Sequence, residues 1–304
     1  MRFTSLILAS TALLFSGCSS ESASNASDKT AEAADKAAHT AESHGSDKKA
    51  AKTNVSEALC EGFGPQTPRD ISSLVGTNSV TFKEAPNHRR LNLCNIHTHT
   101  NAEHKGPGFN VFVNDSDHGG YACNNTGSLT AEQLVDPAGG NGAYKGVKPG
   151  DTIEVHWVHT SCDITPGEGL GSCLSDTCTD PLLRVETQVF LVANDPENAL
   201  DFTDFDYAGG PNAKGRHQAK ALPRRTGRPV VFAGSTTGPK YTQSVCSPLN
   251  VTWSVRPQCA MVDIGSLNRW AEQGNVFNES HSHGVRQLVT APELLSPIKA
   301  KVKQ

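Results

Sequence analysis

The sequence of 304 residues predicts a mainly β fold of the α+β class, organised as a single domain with few short helices. Two observations predict this class. Beyond Cys60 the apolar runs are short, rich in Val, Ile, Phe and Trp, and separated by Gly and Pro, which is typical of strands joined by turns. These runs do not alternate regularly with helical patterns, so a parallel doubly wound sheet is disfavoured.

Six apolar runs are predicted as strands, in chain order over residues 109–113, 152–158, 185–192, 229–233, 250–255 and 258–264. Helical patterns are best developed over residues 130–135 and 266–273. Thr130 is a candidate cap for the first of these helices, and Gln133 would complete a capping box.

The N-terminus has the pattern of an exported lipoprotein. Arg2, an apolar stretch and small residues form a signal peptide over residues 1–17. Leu14–Cys18 resembles a bacterial lipobox, so cleavage before Cys18 would leave a lipidated N-terminus; ordinary cleavage near Cys18 is the alternative. Because no aspartate follows the cysteine, we expect an anchor in the outer membrane, facing the periplasm.

Residues 18–57 are predicted to be the lipidated Cys18 and a disordered tether. Between Ser19 and Asn54 there is no Val, Leu, Ile, Met or aromatic residue, so the segment has almost nothing to bury. The folded domain is therefore expected over residues 58–304, which is long enough for one sizeable core.

Composition excludes several classes of protein. The formal net charge of −4 disfavours a nucleic-acid partner. No apolar run after the first 20 residues approaches the ~20 residues needed to cross a bilayer, which excludes a polytopic membrane protein. Of nine cysteines, the eight other than Cys18 form an even set, which favours disulfides in an oxidising compartment.

Two histidine-rich segments carry the chemistry. His97 and His99 are two residues apart, so in a strand both point to the same side. In the second segment Glu154 and His156 would share one face and His159 the other. Two adjacent strands could thus present three imidazoles to one point, which with an open fourth position is the arrangement of a catalytic zinc site. Histidines of the surface or core are the alternative.

The segment CNIHTHTNAEHKG, residues 94–106, resembles the delta-class carbonic anhydrases. A more distant resemblance to the alpha class runs through five motifs in the same chain order. The resemblance implies a large, twisted, mostly antiparallel sheet, and reversible hydration of CO2 to bicarbonate and a proton by zinc-bound hydroxide. The five alpha-class motifs lie at residues 66–71, 97–104, 154–159, 234–253 and 285–288.

The resemblance also implies roles for individual residues. His97, His99 and His156 would bind Zn²⁺, and Glu154 would accept a hydrogen bond from the free ring N–H of His156. Thr236 or Thr237 would accept the proton of the hydroxide, and Glu103 would accept the proton of that threonine. Other assignments stay open: His104 or His159 as third ligand, Glu103 as a surface carboxylate or fourth ligand, and Thr236 and Thr237 as turn residues.

Proton transfer to solvent needs a shuttle, for which His88 and His118 are candidates because the pKa of histidine lies near neutrality. The resemblance to secreted alpha-class enzymes implies one disulfide, Cys60 with Cys246. His281 and His283 form another His-x-His pair, to which we assign a structural or solvated role.

Two other functions compete with the hydratase. The spacing of His97, His99 and Glu103 is also that of cupins, in which Glu103 would bind iron or manganese and the chemistry would depend on oxygen. A periplasmic lipoprotein that binds zinc without catalysis is the third hypothesis. The expected partners are CO2 or bicarbonate as substrate and the membrane through the lipid.

Overall fold

Ten strands and one α-helix are found within residues 58–113 and 119–298, the part of the chain that the structure, a computed structural model, describes. The predicted signal peptide, Cys18, the tether up to residue 57 and His118 lie outside this part. The strands are β1 (Asn92–Thr100), β2 (Val111–Val113), β3 (Gly120–Ala122), β4 (Thr152–Thr160), β5 (Leu183–Ala193), β6 (Tyr207–Pro211), β7 (His217–Ala219), β8 (Val230–Ser235), β9 (Asn250–Val255) and β10 (Ala260–Asp263); the helix is α1 (Ile264–Glu272).

Six of the strands form one large sheet in the order β1-β4-β5-β9-β8, with β10 also paired to β5. The pairs β1/β4, β4/β5 and β8/β9 are antiparallel, whereas β9 and β10 run parallel to β5. The sheet is therefore mixed, with most of its pairings antiparallel. The prediction of a mainly β, single-domain fold is confirmed, and the described residues belong to one compact unit.

Both faces of this sheet are covered, which explains why β4 and β5 are buried along nearly their whole length. The first face carries an apolar cluster that includes Val158, Val189 and Trp253. The second face carries a cluster that includes Trp157 and Phe190 and is closed by α1 through Leu267 and Trp270. Because side chains alternate along a strand, neighbouring residues of β4 enter different clusters.

The helix begins two residues earlier than the sequence predicts. The side chain of Asp263 accepts a hydrogen bond of 2.9 Å from the backbone N–H of Ser266, which caps the first turn. The preceding strand ends at Asp263 for the same reason and is shorter than predicted. The predicted strand over residues 109–113 is likewise reduced to Val111–Val113.

The predicted helix over residues 130–135 is wrong. Thr130 and Gln133 do form the two hydrogen bonds of a capping box, of 2.9 and 3.3 Å, but around a turn. Leu134 and Val135 are exposed, so no packed apolar face stabilises further helical turns. Pro137 also disfavours helical backbone at the residue before it.

The eight cysteines within the described residues form four disulfides. Cys60 is joined to Cys246, the pair that the resemblance implies. The other disulfides are Cys94–Cys173, Cys123–Cys259 and Cys162–Cys178.

No helix among the described residues is long and apolar enough to span a bilayer.

Candidate metal centre

The register between β1 and β4 brings three imidazoles together on the first face. His97 lies opposite His156, and His99 lies opposite Glu154. The ring centroids of the three histidines are 4.6 to 5.1 Å apart. One nitrogen of each ring lies within 4.8 Å of the others, so a single ion could be bound by all three.

Each of these imidazoles has its other ring nitrogen beside an oxygen acceptor. His97 Nδ1 is 2.8 Å from Asn95 Oδ1, and His156 Nε2 is 2.8 Å from Glu154 Oε1. His99 Nδ1 is 3.3 Å from Glu103 Oε2. These contacts orient the rings and leave Nε2 of His97, Nε2 of His99 and Nδ1 of His156 for a metal. Consistent with this, His156 Nδ1 is 3.2 Å from His97 Nε2.

The surroundings keep two of the three imidazoles in the neutral form that binds metal. Burial, reinforced by the charges of the neighbouring histidines, lowers the pKa of His97 well below its ordinary value. Burial also lowers the pKa of His156, although the hydrogen bond to Glu154 opposes it. For His99, burial acts to lower the pKa, but the carboxylate of Glu103 outweighs it and the pKa is raised. Because a metal binds only the neutral imidazole, the raised pKa of His99 opposes metal binding as the pH falls.

Glu154 connects the imidazole cluster to a second buried histidine. Its Oε1 is 2.6 Å from His104 Nδ1, and its Oε2 accepts a hydrogen bond of 3.1 Å from the His104 backbone N–H. Burial acts to raise the pKa of Glu154, but the charges and hydrogen bonds of His104 and His156 outweigh it and hold the pKa well below its usual range. Glu154 is therefore an ionised acceptor.

Glu103, His104, Glu154 and His156 also lie close enough together to hold an ion, and all four are buried. In this second group, however, the nitrogen of His156 that faces the other three residues is Nε2. This nitrogen is already in contact with the carboxylate of Glu154. The hydrogen bonds just described account for the closeness of the two histidines to Glu154. This group therefore serves as the support of the three-imidazole cluster.

Glu103 lies behind the imidazoles. Its carboxylate is 3.3 Å from His99 Nδ1 and 3.7 Å from His156 Nε2, the nitrogens that point away from the cluster. In this position Glu103 is not a fourth ligand of the three-imidazole cluster. The cupin hypothesis requires Glu103 to bind the metal, so the geometry disfavours that hypothesis. No hydroxyl of a described residue donates a hydrogen bond to this carboxylate, so the expected bond from Thr236 or Thr237 is not formed.

Thr236 and Thr237 follow directly after β8. The hydroxyl of Thr236 is buried and hydrogen-bonded to the hydroxyl of Ser247, and its backbone N–H donates to the carbonyl of Leu249 over 3.0 Å. Thr237 is half-buried. In the structure the buried hydroxyl of Thr236 is therefore hydrogen-bonded to a serine. The roles implied for Thr236 and Thr237 stay predictions.

Comparison with known proteins decides the family. The family model of the delta carbonic anhydrases matches residues 88–266, which is more than half of the chain. The chain belongs to the delta carbonic anhydrase family. The resemblance found in residues 94–106 is thereby confirmed. No curated protein matches the sequence.

Two solved structures are similar to this carbonic anhydrase at low scores. The alpha-carbonic anhydrase of Photobacterium profundum has 18% sequence identity and a TM-score of 0.24, with 75% of this chain and 87% of that chain covered. The alpha-carbonic anhydrase of Thermovibrio ammonificans, in complex with the inhibitor sulfanilamide, has 14% identity and a TM-score of 0.23, with 72% and 83% covered.

The structure does not bring the other candidate histidines to the cluster as ligands. His104 packs against Trp253, with ring centroids 4.9 Å apart, and contacts Glu154. His159 lies on the second face, where its Nδ1 is 2.9 Å from the carbonyl of Trp157. Neither takes the place of His156 beside His97 and His99.

His88, the candidate proton shuttle, lies on the second face of the sheet and not beside the imidazole cluster. Its Nδ1 is 3.4 Å from Glu186, and its ring lies 5.4 Å from that of His159. Glu186 lies opposite Trp157, so this group belongs to the second face of the sheet. The position of His88 therefore gives no support to proton transfer from the imidazole cluster.

His283 is beside the cluster. Its backbone pairs with β1 next to His99, and its Nε2 is 3.1 Å from Glu279 Oε2. Its ring is 4.5 Å from that of His281. The sequence assigns the pair a structural or solvated role, and the pairing with β1 gives it a place at the edge of the sheet.

Sequence reasoning missed Asn95 as a support of His97. The signal was present, because Asn95, His97 and His99 alternate and so share one face of a strand. It also missed the connection from Glu154 to His104. That contact joins residues 50 apart in sequence, and no local spacing predicts it.

Proposed function

We propose that this carbonic anhydrase binds Zn²⁺ through His97, His99 and His156 and uses it for the reversible hydration of CO2. The observation that carries the proposal is the convergence of three imidazoles whose remaining nitrogens all face oxygen acceptors. Zinc is well suited to nitrogen ligands in a tetrahedral site that keeps one position open for water. Zinc in such a site supplies an acidic water near neutral pH, an effect for which carbonic anhydrases are the standard example.

The chain's own residues would orient the metal ligands and bind the substrate. Asn95, Glu103 and Glu154 fix the rings, so little reorganisation is needed when the metal binds. Val158 and Trp253 lie on the same face as His156, and the ring centroids of Trp253 and His156 are 5.0 Å apart. These apolar side chains would exclude water from one side of the site and accept CO2, which has no net charge or dipole.

Thr236 and Thr237 would orient the reacting solvent molecule, as the family resemblance implies. A buried threonine hydroxyl at the end of β8 supports this role for Thr236. For Thr236 to fulfil it, the hydroxyl would leave Ser247 or share its hydrogen bond. Substitution Thr236→Ala should then lower the rate of CO2 hydration without removing the metal.

Metal analysis combined with stopped-flow CO2 hydration tests the proposal. We expect one zinc per chain, and loss of both zinc and activity in His97→Ala, His99→Ala and His156→Ala. Stoichiometric iron without hydratase activity would instead favour the cupin hypothesis. Zinc binding without hydratase activity would favour a carrier, and Thr236→Ala should then leave the zinc binding of the protein unchanged.

We further propose that the chain is exported and anchored in the outer membrane through a lipid on Cys18. The lipobox-like sequence Leu14–Cys18 supports this, and the even number of the remaining cysteines fits an oxidising compartment. Metabolic labelling with a fatty acid should mark the wild-type protein and leave Cys18→Ser unlabelled. Equal labelling of the two would overturn the assignment.

A further inference from the structure

A basic surface is formed by two segments that lie apart in sequence. Residues 207–228 contain six Lys and Arg residues and no Asp or Glu. The short 3-10 turn His88–Arg90 adds two more arginines. We define the basic surface by four exposed arginines of these segments: Arg89, Arg90, Arg224 and Arg225.

Hydrogen bonds hold the two segments side by side. Gln218 Nε2, in β7, donates to the carbonyl of His88 over 3.3 Å and to that of Leu91 over 2.8 Å. The backbone N–H of His217 donates to Asn92 Oδ1 over 3.0 Å. The turn that carries Arg89 and Arg90 is therefore packed on the hairpin that opens residues 207–228.

A buried carboxylate links the turn to the second pair of arginines. Glu186 is 3.4 Å from His88 Nδ1 and 3.5 Å from Arg256 Nη1. The Nε of Arg256 donates in turn to the carbonyl of Pro223, over 3.1 Å, next to Arg224. The arginines of the basic surface thus flank one network on the second face of the sheet, away from the three imidazoles.

The positive charge of this surface is not balanced locally. Glu186 is already paired with Arg184, over 2.7 Å, as well as with Arg256. Among the described residues, none of the four surface arginines forms an ion pair. In sequence, the nearest acidic residue before Arg89 is Glu84, and the nearest before Arg224 is Asp206; neither forms an ion pair with these arginines. Exposed like charges repel each other, so the fold alone gives no reason to collect them here, on a chain whose net charge is −4.

We propose that the basic surface docks on the anionic phosphate headgroups of a membrane. Guanidinium groups match the geometry of phosphate oxygens and bind them with two parallel hydrogen bonds. The proposal rests on the proposed lipid anchor for bringing the domain to a membrane, whereas the charge arrangement is independent of it. Docking through the second face leaves the imidazole cluster on the side of the sheet that faces away from the lipid.

Vesicle binding of the chain from Ser19 onward, which lacks both the predicted apolar signal peptide and the lipidated Cys18, tests this without a lipid anchor and without any catalytic readout. We expect binding to vesicles of phosphatidylcholine with phosphatidylglycerol, weakening as NaCl is raised, and much weaker binding to phosphatidylcholine alone. The further change R89Q/R90Q/R224Q should reduce the partition coefficient about 100-fold, from about fivefold per basic residue. The matched control K145Q/K148Q/K240Q removes the same charge from exposed lysines elsewhere and should change it less than about threefold.

Three results would overturn the proposal: equal loss in the arginine and lysine variants, no loss in the arginine variant, or equal binding to neutral and anionic vesicles. Binding of a DNA oligonucleotide more tightly than anionic vesicles would assign the surface to nucleic acid and overturn it too. Hydratase activity and fatty-acid labelling are measured separately, so failure of either leaves the vesicle result interpretable.

Discussion

Removing the charge of Glu154 should weaken zinc binding more than removing the side chain of Asn95. Both residues orient one imidazole over 2.8 Å, but only Glu154 is ionised. Loss of such an outer partner typically costs about 10–100-fold in metal affinity, and hydrogen bonds to a charged group are about twice as strong as neutral ones. We therefore expect about 100-fold for Glu154→Gln, or about 2.7 kcal/mol, and about tenfold for Asn95→Ala, or about 1.4 kcal/mol.

Competition with a chromophoric zinc chelator at pH 8 measures both dissociation constants. Asn95→Asp is the matched control, because it keeps an acceptor beside His97 and should bind zinc at least as tightly as the wild type. Thermal unfolding of the zinc-free variants separates loss of affinity from loss of folding. If Glu154→Gln binds zinc within twofold of the wild type, or more tightly than Asn95→Ala, the orienting argument is refuted.

Three further outcomes are expected. Burial acts to raise the pKa of Glu186, but His88, Arg184 and Arg256 outweigh it and lower the pKa from 4.5 to about 2. Glu186→Gln should therefore lower the free energy of unfolding of the zinc-free protein by up to about 3 kcal/mol at pH 7, measured by urea unfolding. The difference from the wild type should disappear as the pH falls from 4.5 towards 2. Burial and the charge of His88 lower the pKa of His159 from 6.5 to about 3, so the unfolded chain binds the proton first and stability should fall between pH 6.5 and pH 3; an unchanged slope in His159→Gln would contradict this. His283→Ala should retain one zinc per chain by metal analysis, and its loss would mean that a ligand has been assigned wrongly.

Most strands were predictable because their signal is local. The runs at residues 152–158, 185–192 and 250–255 are short, apolar and β-branched, and all three are strands in the structure. The predicted helix at residues 130–135 fails because a capping box is also local, whereas a helix of this length needs a packed face. Leu134 and Val135 have none.

The candidate site divides in the same way. The alternation of His97 with His99, and of Glu154 with His156, places each pair on one face of its strand without any knowledge of the fold. The pairing of the two strands in register is a long-range contact, and so is the contact of Glu154 with His104. Sequence could therefore offer His104, His156 and His159 as third ligands but could not choose among them.

The amino-acid sequence by itself determined six of the strand-forming segments and, through residues 94–106, the family. It also determined that His97 shares a strand face with His99, and Glu154 with His156. Only the tertiary structure decided that His88 lies with Glu186 on the second face, that Glu103 stands behind the imidazoles, and that Thr236 is bonded to Ser247. The physical reason is that periodicity along a strand fixes the direction of each side chain, whereas its neighbours across the sheet depend on register and strand order. Those are set by the packing of the whole domain.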